Sequence, residues 1–197
     1  MTRSSVLRDH VTAGLLDVAA RVLAERGPQT SMSDLAEAAG VSRATLYRYF
    51  PSREALLAAL QDAAMTDLSG RLEDARLDAV PVPEAIARLT RALLAAAGKY
   101  RALGFVEKSP ADEAAAQAAF AAPVQALFER GVREGAFRAG QPAHVLAELY
   151  VSLLEGVIRR TLDGRLGAEE ASAAITSVFL SGAAIPAATS PLTFRSR

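Results

Sequence analysis

The chain has 197 residues, 51% hydrophobic and 22% charged, with 22 basic side chains offset by 22 acidic ones. That suits a packed core in one medium domain or in a small head joined to a larger body, and the zero net charge excludes a wholly basic nucleic-acid binder while permitting a local basic patch. Cysteine is absent, which excludes a disulfide framework and a thiolate metal site, and no apolar run approaches the ~18 residues of a membrane span, so a cytoplasmic protein with no membrane partner is expected.

The spacing predicts a first helix from Leu7 to Arg26, with Val11, Leu15, Val18, Ala19, Val22 and Leu23 on its apolar stripe and Gly27-Pro28 as its stop. The stretch SMSDLAEAAGVSRATLYRYFPSR, 31–53, carries a chemical signal at every boundary. Ser31 and Asp34 have capping-box spacing, Gly40 supplies a left-handed residue, Ser42 caps a second helix from Arg43 to Phe50, and Pro51 ends it. Ser52 then caps a fourth helix. Two short helices joined by a tight turn, 31–50, read as a helix-turn-helix.

Placed at about 100° intervals, the second of these helices divides into two faces. Leu46, Tyr49 and Phe50 share one arc, available for packing against Leu35, Ala39 and Val41. Arg43, Ala44, Tyr47 and Arg48 share the other. Two guanidinium groups and a phenol around a small alanine suit the major groove, where arginine bonds guanine edges and small or aromatic groups meet thymine methyls. Candidates for phosphate contact are the hydroxyls of Ser31, Ser42, Thr45 and Tyr49, together with Arg53 at the start of the next helix, whose N-terminal amides favour an anion. The ring of Tyr49 is as well placed for the core as for DNA.

The fourth helix is expected to run from Ser52 towards Leu77, with early leucines in the head, later ones in the body, and Gly70 as a weak point. DAVPVP, 78–83, reads as a linker. Beyond it the pattern predicts a helix from Pro83 to Arg101, a broken stretch over 103–112, separate helices over 113–120 and 123–134, and two closing helices over 142–165 and 168–184. Residues 186–197 read as a loose tail. No strand signal is present, so the fold class is all-α.

The segment from about Arg8 to Leu68 resembles the DNA-binding domain of the tetracycline-repressor (TetR) family of bacterial transcriptional regulators. The residues that carry it are LLDVAARVLAERG (15–27), DLAEAAGVS (34–42) and, most specifically, TLYRYFPSREALL (45–57). The resemblance implies an N-terminal three-helix head at 8–68 and a C-terminal helical bundle at 69–185 for ligand binding and dimerisation. It implies base contacts by Arg43, Ala44 and Tyr47, backbone contacts by Thr45, Tyr49 and Arg53, and no cofactor. The function expected is a homodimeric repressor, released from a pseudo-palindromic operator by a small molecule.

The two closing helices offer more apolar surface than one neighbour covers. Tyr150, Leu153, Leu154, Val157, Ile158, Ile175, Val178 and Phe179 are the candidate dimer face. Candidate pocket residues for an apolar or amphipathic ligand are Arg91, Tyr100, Phe105, Phe120, Phe128 and Tyr150, with Glu107 as a further polar anchor. An enzyme is not expected. Only His10 and His144 are present, no Gly-rich phosphate loop follows a strand, and the pairs Asp112-Glu113 and Glu169-Glu170 sit at helix starts, where negative charge suits the dipole. Two further readings remain open from sequence: a DNA-binding regulator without small-molecule control, and a helical interaction module with no use for Arg43, Tyr47, Arg48 and Arg53 together.

Overall fold

Residues 3–27, 29–105, 110–137 and 140–183 are described in the computed structural model, and they form eight α-helices. The tail expected at 186–197 lies outside the described residues, as do Pro28 and Glu107. Two apolar clusters organise the chain. The first is enclosed by α1 (Arg3–Arg26), α2 (Met32–Ala38), α3 (Arg43–Tyr49) and the start of α4 (Arg53–Ala75). The second is enclosed by the end of α4, α5 (Val82–Lys99), α6 (Pro110–Arg133), α7 (Ala143–Leu162) and α8 (Ala168–Ala183).

α4 belongs to both. Leu56 and Leu60 are buried in the head cluster, while Leu68 and Leu72 pack against the body cluster two turns further on. The helix passes through Gly70 without a break and ends at Arg76, whose left-handed backbone (φ 45°) turns the chain into a short 3₁₀ segment, Leu77–Ala79. Arg130 of α6 fastens that turn, donating to the carbonyls of Asp78 (2.9 Å) and Val80 (3.1 Å).

α5 is the central strut of the body. Its apolar residues repeat at helical spacing, so Val82, Ala85, Ile86, Leu89, Leu93 and Leu94 all face inward, against α8, α4 and α7. Each leucine or isoleucine so buried contributes about 1.5–3 kcal/mol. Around it Phe128, Phe137, Tyr150 and Phe179 form one aromatic cluster, with ring centroids 5.4–5.6 Å apart in stacked, tilted and edge-on pairs. The two hydroxyls that meet in this interior satisfy each other: Thr90 donates to the Ile86 carbonyl (2.7 Å), leaving its oxygen to accept from Tyr150 (2.9 Å). Burial pushes the Tyr150 phenol above its ordinary range, a rise that the Thr90 bond opposes.

Three expectations about element boundaries change. α5 begins inside the expected linker, because Pro83 sits in the first helical turn, where a missing N–H costs nothing. A 3₁₀ turn, Arg101–Phe105, falls at the start of the broken stretch expected over 103–112, of which residues 106–109 lie outside the described ones; the two short helices expected over 113–120 and 123–134 are instead a single helix, α6, from Pro110 to Arg133. Pro123 lies within it. The lost backbone bond there is offset by Val124, Leu127 and Phe128, which anchor the second half of α6 in the core. Finally, the head core reaches past residue 68, since Ala102 and Leu103 are buried in it and Tyr100 packs on it.

Candidate nucleic-acid interface

Local chemistry builds the reading element. Ser31 Oγ accepts from the Asp34 amide (3.2 Å), and the Asp34 carboxylate accepts from the Ser31 amide (3.0 Å), completing the capping box. The Ser31 hydroxyl and amide hold the Asp34 carboxyl below its usual pKa. The turn closes through the Gly40 amide on the Glu37 carbonyl and the Val41 amide on the Ala36 carbonyl, both 3.0 Å. This needs φ +66° at Gly40, a conformation a Cβ would strain. Ser42 Oγ then accepts from the Thr45 amide (3.1 Å) and pairs with the Thr45 hydroxyl (2.9 Å), starting α3. Leu46 and Phe50 are buried beneath it and fix its rotation.

Held this way, α3 presents Arg43, Ala44, Tyr47 and Arg48 to solvent, the four residues expected to read bases. Tyr47 is 40% exposed, unusual for a large aromatic on so short a helix. Arg48 leans back over the ring of Tyr49, with Cζ 5.5 Å from the centroid, and Arg8 of α1 approaches the same ring at 5.9 Å. Tyr49 is half-buried against the head core, so its ring serves packing as well as the exposed face.

The expected phosphate set is partly committed elsewhere. The hydroxyls of Ser31 and Ser42 already cap helices, and that of Thr45 is bonded to the Ser42 hydroxyl. Arg53 directs Nη1 at the Thr30 carbonyl, tying the start of α4 to the loop before α2. Sequence pattern offered no signal for that bond, which spans 23 residues of chain.

The family model described as "Bacterial regulatory proteins, tetR family" matches residues 15–60, the stretch whose geometry has just been given. The HTH-type transcriptional regulator NfxB of Pseudomonas aeruginosa is 31% identical over 164 residues, 81% of this chain and 88% of that one. The chain belongs to the TetR family of bacterial transcriptional regulators. Among solved structures, the TetR-family regulator PfmR from Thermus thermophilus is similar at 28% identity and TM-score 0.68, over 85% of this chain and 97% of that one. LfrR from Mycobacterium smegmatis, in complex with proflavine, is similar at 26% identity and TM-score 0.67, over 87% and 96%.

The body of this TetR-family chain redistributes the other expected residues. Tyr150 and Leu154 are wholly buried and Ile175 and Phe179 nearly so, all inside the protomer's own core; they have no surface to offer a second copy. Of the expected dimer face, Leu153 and Val178 are exposed and Val157 and Ile158 half-buried, while Leu149, 54% exposed, joins the exposed side. The expected pocket also divides. Phe128 and Tyr150 fill the aromatic core, Arg91 lies on the surface near Glu84 (3.6 Å), and Tyr100 reaches the Ala63 carbonyl in the head (3.4 Å). The side chain of Phe105 is outside the described set. Of the expected residues, Phe120 alone lines a large groove, about 1150 Å³, that runs between α6 and α7.

The structure adds a junction that the sequence pattern did not reveal. Three consecutive residues at the end of α5 each grip the head. Lys99 Nζ lies 3.0 Å from Asp17 on α1 and 3.4 Å from Asp67 on α4, Tyr100 bonds Ala63, and Arg101 donates twice to the Ala24 carbonyl near the end of α1. The available signal was small: one of the chain's two lysines, placed at the C-terminal end of an amphipathic helix.

Proposed function

We propose that this regulator is a homodimeric repressor that occupies a pseudo-palindromic DNA operator and leaves it when a small molecule binds the body. The observation that carries the reading is the exposed face of α3, with Arg43, Ala44 and Tyr47 outward on a helix fixed by Ser42, Leu46 and Phe50. Arg43 and Tyr47 read base edges, with Arg48 at the rim. The hydroxyls of Thr45, Tyr49, Ser31 and Ser42 and the guanidinium of Arg53 meet phosphates. A capped hydroxyl still has a lone pair or proton to share, so these roles are compatible with the caps.

Dimerisation uses the outer face of α7 and α8. Leu149, Leu153 and Val178 are its exposed apolar residues, and Gly156, Ala174, Ser177 and Ser181 beside them allow close approach of a symmetry mate. A twofold pair sets two reading helices one DNA turn apart, about 34–36 Å. The ligand reading draws on the α6–α7 groove and on LfrR, a similar protein solved with proflavine. No helix among the described residues is long and apolar enough to cross a membrane.

The test is binding of the purified protein to DNA flanking its own gene and to random DNA over a range of salt, with sedimentation of protein and complex. Selective binding of a dimer, weakening as salt rises, is the expected result. Equal affinity for both DNAs would remove the base-reading assignment. A monomer on DNA would remove the dimer.

A further inference from the structure

We infer that Arg8 of α1 contacts a DNA phosphate from a position held by the ring of Tyr49, so that the DNA interface extends from α3 onto the first helix; the inference rests on the DNA-binding reading above. Two guanidinium groups from different helices converge on that one ring. Arg48 of α3 lies with Cζ 5.5 Å from the centroid, and Arg8 of α1 with Cζ 5.9 Å. Each is attracted by the ring's π system. Arg48 belongs to the exposed face of α3 with Arg43, Ala44 and Tyr47, so a second cation on the Tyr49 ring stands at the margin of that face.

The turn of α1 that carries Arg8 is open. Val6 and Leu7 are 42% and 68% exposed, and with Tyr47 they are the exposed large apolar side chains of the head among the described residues. Tyr49 is half-buried against the head core, which fixes the ring, while Arg8 and Arg48 are both exposed. Neither guanidinium forms an ion pair among the described residues; Asp9, the neighbour of Arg8, is turned about 100° away along the helix. Two like charges drawn to one ring repel each other until an anion joins them, and the anion that a DNA duplex brings to this margin is backbone phosphate. A guanidinium stacked on a ring still directs its N–H edge outward, in the fork that matches phosphate oxygens.

The experiment titrates wild-type protein and variants into labelled DNA flanking its own gene, and into a random duplex of equal length, and follows anisotropy over a range of salt. Arg8→Gln removes the charge and Arg8→Lys keeps it. Arg21→Gln removes an exposed charge from the other end of α1, where Arg21 lies beside Glu25 in the groove facing α5. Circular dichroism melts establish that each variant is folded. The expected result is that Arg8→Gln weakens both DNAs by a similar factor and lowers the slope of log K against log salt by about 0.9 per head, or about 1.8 for a dimer. Arg8→Lys should restore the slope, and Arg21→Gln should leave it unchanged. A residue that only braced α3 would lower specific affinity with the slope intact. Adding Arg8→Gln to Tyr49→Leu, which lacks the ring, should change the slope by less than about half as much as in wild type; adding it to Tyr49→Phe, which keeps the ring, should change it in full. A wild-type slope in Arg8→Gln would overturn the phosphate contact, and an undiminished effect of Arg8→Gln in Tyr49→Leu would overturn the role of the ring. Wild-type protein with no salt-dependent binding to either DNA would overturn the DNA-binding reading itself, and this inference with it.

Discussion

Replacing Lys99 by methionine removes one charge from the place where body and head meet. The ammonium lies between Asp17 (3.0 Å) and Asp67 (3.4 Å), and also 5.1 Å from the centroid of the Tyr100 ring. Burial works against its charge, but the bonds to Asp17 and Tyr100 outweigh that and hold its pKa above the ordinary value. The side chains are 35% exposed for Lys99, 64% for Asp17 and 21% for Asp67, so the Asp17 arm is strongly screened and the Asp67 arm less so. Exposed pairs contribute about 0.2–1 kcal/mol, which puts the Asp17 arm near ~0.5 kcal/mol and the Asp67 arm near ~1 kcal/mol. The ring contact adds about 0.5 kcal/mol. Methionine keeps most of the apolar stem, and Asp67 retains Arg71 as a partner, so no orphaned charge is left behind. Lys99→Met should therefore cost about 1–2 kcal/mol in urea unfolding at neutral pH and low salt, and less in about 1 M salt. Because the lysine pKa is raised in the folded state, its contribution is complete below the unfolded value of about 10.4 and fades as pH rises through the folded one. Asp67 is lowered: burial opposes its charge, but the Arg71 and Lys99 bonds prevail. Its share is complete above about pH 4 and is lost as pH falls through the folded pKa. The gap between wild type and variant should thus be flat from about pH 5 to 9 and close at both ends. Double-mutant cycles with Asp17→Asn and Asp67→Asn measure each arm. A variant within ~0.3 kcal/mol of wild type, or cycles with no coupling, would refute the reasoning.

Tyr47→Ala and Arg43→Ala should each cost about 1–3 kcal/mol on the specific operator and relax preference at one position per half-site, as read by competition among single-base operator variants. Arg53→Ala removes a bond to the Thr30 carbonyl as well as a phosphate donor, so it should weaken specific and random DNA alike, reduce the salt slope, and lower the melting temperature of the DNA-free protein. An unchanged melting temperature would mean that the Thr30 bond contributes nothing. Leu153→Glu should shift the protein to monomer in sedimentation, since a carboxylate would enter the proposed twofold face from an exposed position; an intact dimer would move the interface elsewhere. Gly131→Ala and Gly70→Ala should have opposite signs in thermal melts. A Cβ at Gly131 would fall 2.2 Å from Phe137 Cε2, in a ring stacked on Phe128, costing about 1–3 kcal/mol net, whereas a Cβ at Gly70 meets nothing within 4 Å and should gain up to about 1 kcal/mol of helix propensity.

The head was legible because its information is local. Ser31 with Asp34, Gly40, Ser42 and Ser52 each act within three or four residues of themselves, and the structure uses every one as the pattern implies. The body was less so, because its apolar residues are too many for pattern to allocate. Leu149 and Tyr150 are adjacent and both apolar, yet one helical step of about 100° separates a 54% exposed side chain from a wholly buried one. Which side of α7 meets α5 and which meets solvent follows from the packing of the whole bundle, and nothing in a one-dimensional stripe records it. Pro123 is the same lesson in reverse: a strong local stop signal was overridden by three core anchors immediately after it.

The junction explains how a body and a head of such different legibility act as one molecule. α3 is only seven residues long, and its aim is set by caps, by Leu46 and Phe50 beneath it, and by Arg53 bound to the loop before α2. None of these contacts reaches the body, so α3 cannot be re-aimed without moving the head as a unit. Among the described residues, two connections cross from body to head: α4, continuous through Gly70, and the 99–103 segment, which places Ala102 and Leu103 inside the head core and bonds α1 at Asp17 and Ala24. A displacement of α5 must therefore either carry α1 with it or break Lys99 and Arg101 free. In the proposed dimer the first outcome moves the reading helix rigidly and changes the spacing between half-sites; the second leaves α4 and the buried Ala102 and Leu103 as the links. Lys99→Met weakens the first path and leaves α4 continuous, removing only its Asp67 arm on that helix, so its effect on ligand-driven operator release, measured beside its effect on stability and beside Asp67→Asn, separates the two. Release at an unchanged ligand concentration would assign the motion to the second path.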